Sequence, residues 1–231
     1  LFAISHPGFA QHFDEKNFTH YTTISGLSDN YITGITQDKF GYIWISTTNG
    51  LNRFDGKEIK RLYQNPGKEG LIADKLSSIK SVENKLFTYS EKGAEWIDLT
   101  KNHFINLTVS KKQPASSLQN AVYDAAVTNN NTCFISTYSG AYEFDSTGKI
   151  IFRYDNYKPD SNGNIISDKR YGRSVVYIDQ YKILHFDIQY NMSIYDSRKN
   201  SFLLIESYKN SLSGLSSLKG TMNIMASIEK N

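Results

Sequence analysis

GLSDNYITGITQDKFGYIWISTTNGLNRFDG, residues 26–56, alternates short runs of β-forming residues with turn residues, and parts of it recur along the chain. Gly26-Leu27-Ser28-Asp29-Asn30-Tyr31-Ile32 aligns without a gap with Gly70-Leu71-Ile72-Ala73-Asp74-Lys75-Leu76, 44 residues later. Further on, four short motifs close on an aromatic or apolar residue followed by aspartate: Leu51 to Asp55, Ala94 to Asp98, Ala141 to Asp145 and Met192 to Asp196. Their aspartates lie 43, 47 and 51 residues apart.

A period in the forties fits four-stranded blades of a β-propeller, and the first unit parses that way. Tyr31 to Gln37 reads as a strand, Asp38 to Gly41 as a turn, and Tyr42 to Thr48 as a second strand rich in β-formers. Asn49-Gly50 then predicts a type I′ hairpin, in which both central residues take φ > 0. Leu51 to Phe54 is a third strand, Asp55-Gly56 a second two-residue turn, and Glu58 to Tyr63 a fourth strand. Lys92-Gly93, Ser139-Gly140 and Tyr190-Asn191 occupy the place of Asn49-Gly50 in the later units. The expected fold is therefore all-β, a β-propeller of four-stranded antiparallel blades with about four blades present. Their approximate bounds are 26–63, 70–109, 118–154 and 168–208, with the start of a further blade at 223–231. No window sustains apolar positions at helical spacing, so almost no helix is expected. A β-sandwich would explain the short strands but not the period.

The chain has 231 residues, 39% of them hydrophobic and 13% aromatic, enough to bury a large core. With 26 basic and 23 acidic residues interspersed, the net charge is +3. Lys111-Lys112 and the group Lys169, Arg170 and Arg173 do not form a continuous stripe, so no nucleic-acid interface is expected. Cys133 stands alone, which excludes an intramolecular disulfide and predicts a small buried apolar residue. His6, His12, His20, His103 and His185 show no HxH or HExxH spacing, and no G-x-S-x-G elbow occurs, so neither a metal nor a cofactor is expected. Residues 1–16 read as an N-terminal tail, either the remnant of a cleaved export signal or an ordinary loose terminus. No apolar run reaches the ~18 residues of a membrane span.

Residues 26–56 closely resemble the two-component regulator propeller repeat, with its GLS-type start, aspartate and glycine turn, IWIGT-like strand and glycine-leucine pair. Ser46 stands where that pattern usually has glycine, and Phe87, Phe134 and Leu184 fall where Trp44 sits in the first unit. The resemblance implies the periplasmic sensor region of a Bacteroidetes-type hybrid histidine kinase and response regulator. It further implies detection of oligosaccharides, control of polysaccharide-utilisation genes, a homodimeric receptor, a membrane helix outside this segment, and no enzymatic activity in this region.

At this period a seven-bladed ring would need on the order of 330 residues, so the chain is expected to cover part of one ring. Asn17 to Thr22 resembles a fourth strand without its own blade. Blade geometry puts the loops before the first strands and the turns between second and third strands on one face, where propeller ligands usually lie. On that face the expected ligand-binding residues are Asn30, Tyr31, Asn49, Lys75, Lys92, Asn120, Tyr138, Arg170, Tyr171 and Tyr190. Aromatic faces beside amides and charges suit sugar rings, although loops are polar in any case.

Asp55, Asp98, Asp145 and Asp196 recur once per unit at a strand end, which favours turn caps over carboxylate chemistry. Trp44 and Trp96 read as blade packing. Thr36 to Trp44 also resembles the aspartate box of sialidase propellers, with one residue too many between Asp38 and Gly41. The box is structural in that family, and its arginine triad and tyrosine nucleophile have no counterpart assignable here. A propeller glycoside hydrolase or lyase is the alternative reading, and a purely protein-interaction propeller a third.

Overall fold

The computed structural model describes residues 18–65, 70–109, 120–128, 131–155, 157–159, 165–167, 172–179, 181–187, 192–199 and 201–205. Four four-stranded antiparallel sheets succeed one another along them. The first holds β1 (Ile32–Gln37), β2 (Ile43–Thr47), β3 (Gly50–Phe54) and β4 (Ile59–Leu62), paired in chain order. The second holds β5 (Ser78–Val82), β6 (Lys85–Ser90), β7 (Gly93–Asp98) and β8 (His103–Leu107). The third runs through β9 (Val122–Val127), β10 (Cys133–Thr137), β11 (Gly140–Phe144) and β12 (Ile150–Asp155). A two-stranded hairpin, β13 (Tyr157–Pro159) with β14 (Ile165–Ser167), precedes the fourth sheet. That sheet holds β15 (Gly172–Asp179), β16 (Lys182–Asp187), β17 (Met192–Asp196) and β18 (Ser201–Ile205).

Successive residues of a strand point to opposite faces, and the blades exploit that at every seam. On β6, Leu86 packs with Trp44, Leu51, Leu71, Leu76 and Ile79 against the first blade. Its neighbour Phe87 packs with Trp96, Val127, Cys133 and Phe144 against the third. On β10, Phe134 turns the other way, joining Phe152, Val175, Ile183 and Tyr195 at the seam with the fourth blade. Trp44, Phe87 and Phe134 share one register position, and each faces the blade that follows. Cys133 lies wholly buried in the second seam, where burial pushes its thiol pKa well up.

The turns differ from the sequence expectation in a consistent way. No φ > 0 occurs at Asn49, and Gly50 is the first residue of β3 with φ 120°. The two-residue loop is Thr48-Asn49, closed by the Thr47–Gly50 pair. Thr47 Oγ1 accepts the Asn49 N–H at 3.0 Å and donates to the Gly50 carbonyl at 2.9 Å, so the side chain does the work of a I′ turn. The same clasp recurs at Ser90 with Lys92 and Gly93, and at Thr137 with Ser139 and Gly140. Glycine is required at Gly50 by close approach, since a Cβ would sit 2.9 Å from the Leu62 carbonyl oxygen; at Gly93, where φ is 142°, a Cβ would meet only the mobile tip of Ile72, Cδ1, at 2.8 Å. Asp55-Gly56 is likewise part of a four-residue loop, 55–58.

The repeated aspartates cap these loops. Asp98 Oδ1 accepts the Thr100 hydroxyl at 2.7 Å and the N–H groups of Thr100 and Lys101; Asp145 does the same for Thr147 and Lys149. Asp55 caps Lys57 and Glu58, and Asp196 caps and ion-pairs with Arg198. The Arg198 hydrogen bond brings the Asp196 pKa down to about 2. Asp38 is a buried strut: its carboxylate accepts the N–H groups of Phe40 and Tyr42 and, at 2.7 Å, the indole N–H of Trp44. This is why Asp38 and Trp44 occur together.

A second strut anchors the loop before each of the first two blades. Asn52 on β3 accepts the Ser28 N–H at 2.8 Å and donates to the Ser28 hydroxyl and the Ile45 carbonyl. At the equivalent place on β7 stands Glu95, wholly buried, whose carboxyl accepts the Ile72 N–H. Burial outweighs that bond and raises its pKa to about 8.

Phe18 to Thr22, expected to pair as a strand, joins no sheet among the described residues; the ring of Tyr21 instead packs on Phe54 at 4.9 Å. An extended segment needs a neighbouring ladder for its N–H and C=O groups, and no described strand lies beside it. The further blade expected at 223–231 and the tail 1–16 fall outside the described residues, as does Tyr190-Asn191.

Two outcomes follow for stability. Gly50→Ala combines a strained φ with a clash against backbone, so it lowers the denaturant-unfolding free energy by more than Gly41→Ala, which meets nothing within 4 Å and carries only backbone strain of about 1–3 kcal/mol. Glu95 holds its proton more tightly folded than unfolded, so its contribution to stability is full below its ordinary pKa near 4.5 and is lost as pH rises through about 8. Glu95→Gln therefore flattens the pH dependence of the unfolding free energy between pH 5 and 8, measured by urea titration at each pH.

Candidate functional site

The turn between β2 and β3 of the first blade meets the residues just before β5 of the second, where the Gly50 N–H and the Thr47 carbonyl bond to Asp74 and Leu76. Between the first two blades this junction opens into a cleft of about 240 Å³, walled by Thr48 and Gln64 from the first blade's side and by Asp74, Lys75, Glu91 and Lys92 from the second's. The cleft exists because the two blades are stitched beneath it. The Gly50 N–H donates to the Asp74 carbonyl at 2.7 Å, and the Leu76 N–H to the Thr47 carbonyl at 3.1 Å.

Its polar groups are held in fixed relations. Gln64 donates its backbone N–H to Asp74 Oδ1, and its side-chain oxygen accepts Lys92 Nζ at 3.1 Å. Lys75 and Glu91 form a loose ion pair at 3.7 Å, with their side chains 65% and 67% exposed. Thr48 donates to Asp29 at 2.8 Å, and Asp29 also accepts the Tyr31 N–H; these bonds hold its carboxyl below the usual range.

Of the residues expected on the ligand-binding face, Lys75 and Lys92 line the cleft, with Asn49 and Tyr31 exposed beside Thr48. Tyr31 is 68% exposed, and its carbonyl accepts the Thr48 N–H at 3.2 Å. Asn30 is exposed, and its side chain accepts the Thr23 N–H at 2.9 Å, fixing the loop before β1. Tyr138 is half-buried on the third blade. Asn120 departs from the expectation: it is 1% exposed and its side-chain oxygen accepts the Val109 N–H at 3.1 Å, so it secures the loop from within and presents nothing to a ligand. Arg170, Tyr171 and Tyr190 lie outside the described residues. The sequence reading missed Gln64, Asp74, Glu91 and Tyr63. Tyr63, next to Gln64, is 42% exposed with its ring against Gly50, a second exposed aromatic surface of the first blade. Asp74 and Lys75 close the recurring Gly-Leu motif, and that recurrence was the available signal.

Elsewhere, polar groups serve the seams. Tyr89 OH donates to Asp124 Oδ1 at 3.1 Å, and the Val175 N–H to Asp124 Oδ2 at 2.8 Å. Burial and the Asp124 charge push the Tyr89 pKa up. Ser136 lies 3.0 Å from His185 Nε2, but Ser136 is wholly buried between the third and fourth blades and offers no nucleophile to solvent. Among the described residues no three His, Cys, Asp or Glu side chains converge to hold a metal, and no helix is long and apolar enough to cross a membrane.

Comparison with known proteins accords with this geometry. Residues 26–49 match the family described as two component regulator propeller. Histidine kinase P4 of Formosa agariphila is 45% identical over 49 residues, which cover 21% of this chain and 4% of that protein. Among solved structures, the extracellular domain of the hybrid two component system BT3049 from B. thetaiotaomicron has a TM-score of 0.60 at 21% identity over 81% of this chain and 26% of its own. The extracellular domain of the one component system BT4673 from the same organism has a TM-score of 0.57 at 15% identity, over 83% of this chain and 27% of its own. At these identities the likeness is one of fold, and the chain spans about a quarter of the solved relatives' length. With its Gly-Leu loop, Asp38 turn and Trp44 strand in place, the stretch 26–49 is similar to a two-component regulator propeller repeat, and the four-stranded sheets after it share the architecture of the first.

Proposed function

We propose that the chain is the extracytoplasmic, ligand-sensing propeller of a hybrid two-component signalling protein, that it detects oligosaccharides, and that it thereby regulates polysaccharide-utilisation genes. The observation that carries this reading is the regulator propeller repeat at residues 26–49 within blades resembling extracellular domains of two-component systems. The loop face suits a saccharide: Tyr31 and Tyr63 of the first blade are exposed aromatic surfaces, Asn49 is exposed beside Thr48, and Gln64 and Lys92 offer hydrogen bonds in the cleft. A cleft of about 240 Å³ accepts one sugar residue, so a longer chain would extend over the face.

In this reading the receptor is a homodimer with a membrane helix outside this segment, and the ligand acts by binding one dimer arrangement better than the other. The glycosidase alternative finds no support at the aspartate turn, since both oxygens of Asp38 are committed to its own loop and Trp44. Calorimetric titration of the complete protein with plant and host oligosaccharides tests the proposal. Saturable heat with one class, without turnover, is the expected result, with Tyr31→Ala and Tyr63→Ala each weakening binding by about 5- to 10-fold for a stacked ring. Heat with no saccharide would overturn it.

A further inference from the structure

The charges of the cleft do not cancel where they stand. Lys75 and Glu91 neutralise each other at its rim. Lys92 and Asp74 remain, and among the described residues neither is ion-paired: the Lys92 ammonium donates to the neutral Gln64 amide, while Asp74 takes only the Gln64 backbone N–H. Gln64 thus contacts both, its backbone N–H on the carboxylate and its side-chain oxygen on the ammonium, and a cation and a carboxylate line one small cleft without pairing with each other. A cleft of this size seats a unit about as large as one amino acid or one sugar. A simple anion would meet Asp74, a simple cation would meet Lys92, and a neutral ligand would desolvate both without pairing either.

We propose that the cleft between the first two blades binds a small zwitterion, whose carboxylate pairs with Lys92 Nζ and whose ammonium pairs with the Asp74 carboxylate. Two sources share that chemistry: an amino acid or peptide end, and an amino sugar bearing a carboxylate. The inference rests on the reading of this face as the ligand-binding face, and it adds the charge pattern that the seated unit must carry. Charge-assisted pairs of this kind are about twice as strong as neutral hydrogen bonds, so selectivity for the doubly charged form is the signature.

The test is titration of the complete protein with L-alanine, L-alanylglycine and muramic acid as zwitterions, and with propionate, glucosamine and glucose as anionic, cationic and neutral counterparts. At least one zwitterion binds saturably and about tenfold or more tightly than any single-charge compound; the peptide-type and sugar-type probes decide between the two sources. Lys92→Gln weakens that binding about tenfold. Asp74→Asn keeps the oxygen that accepts the Gln64 N–H but abolishes the preference for the zwitterion over its anionic counterpart, a change of selectivity that general loosening of the cleft would not produce. The inference is overturned if no zwitterion outbinds its single-charge counterpart, or if Asp74→Asn leaves the preference intact. Oligosaccharide binding with no zwitterion binding would sink this inference and leave the sensor reading standing; zwitterion binding with no response to oligosaccharides would do the reverse.

Discussion

Face-to-face packing of neighbouring sheets is the constraint on which everything else in this molecule depends. Each inner blade buries both of its faces, so its middle strands have no solvated side: every residue of β7, β10 and β11 is buried. That arrangement gives polar groups buried in the blades two main uses. They can satisfy backbone groups of adjoining loops, as Asn52 and Glu95 do, or they can bond across a seam, as Tyr195 does by donating to Glu143 at 2.7 Å. The ligand face is what remains once the seams are filled, and its cleft is a gap between two sheets splayed above a packed Trp44 and Leu76.

Much of this was legible in the letters. The strands read from the first unit differ from β1 to β4 by a single residue at several ends, because its turns are punctuated by Asp38, Gly41, Asn49 and Gly50 and most of its apolar strand residues are β-branched or aromatic. The aspartate caps were legible too, but the chemistry of the turn between second and third strands was not. Asn49-Gly50 suggested a backbone-driven hairpin, whereas Thr47 closes the loop with its hydroxyl and Gly50 is there because the Leu62 carbonyl and the Tyr63 ring crowd its Cα. Serine and threonine are common enough that Thr47, Ser90 and Thr137 did not stand out until their equivalence was seen in space. The β13–β14 hairpin was missed for a similar reason: it sits between two units and obeys no repeat.

The site was legible in outline only. Lys75 and Lys92 belong to loops that any blade places on one face, so their position followed from topology. Asn120 belongs to such a loop as well, yet its side chain turns inward to the Val109 N–H, a choice made by packing and invisible to position alone. Gln64 escaped notice because it follows the fourth strand, which topology assigns to the outer edge; the chain leaving β4 turns back toward Leu71 through a parallel bridge and carries Gln64 with it. Ser46, standing where the repeat usually has glycine, is accommodated because Gly34 opposite it has no side chain: a Cβ there would lie 3.1 Å from the Ser46 hydroxyl.

Asp124 has a consequence for how the array comes apart. Blades contacting only their neighbours behave as a one-dimensional chain, able to lose a terminal unit while the rest persists. The Asp124 carboxylate, carried by the third blade, binds a phenol of the second with one oxygen and an amide of the fourth with the other. Detaching either neighbour strips a half-buried charge of one of its donors. The loss of an end blade therefore falls on a side chain that also holds the opposite seam, so the two seams share one group and the energetics of the second to fourth blades are coupled through it.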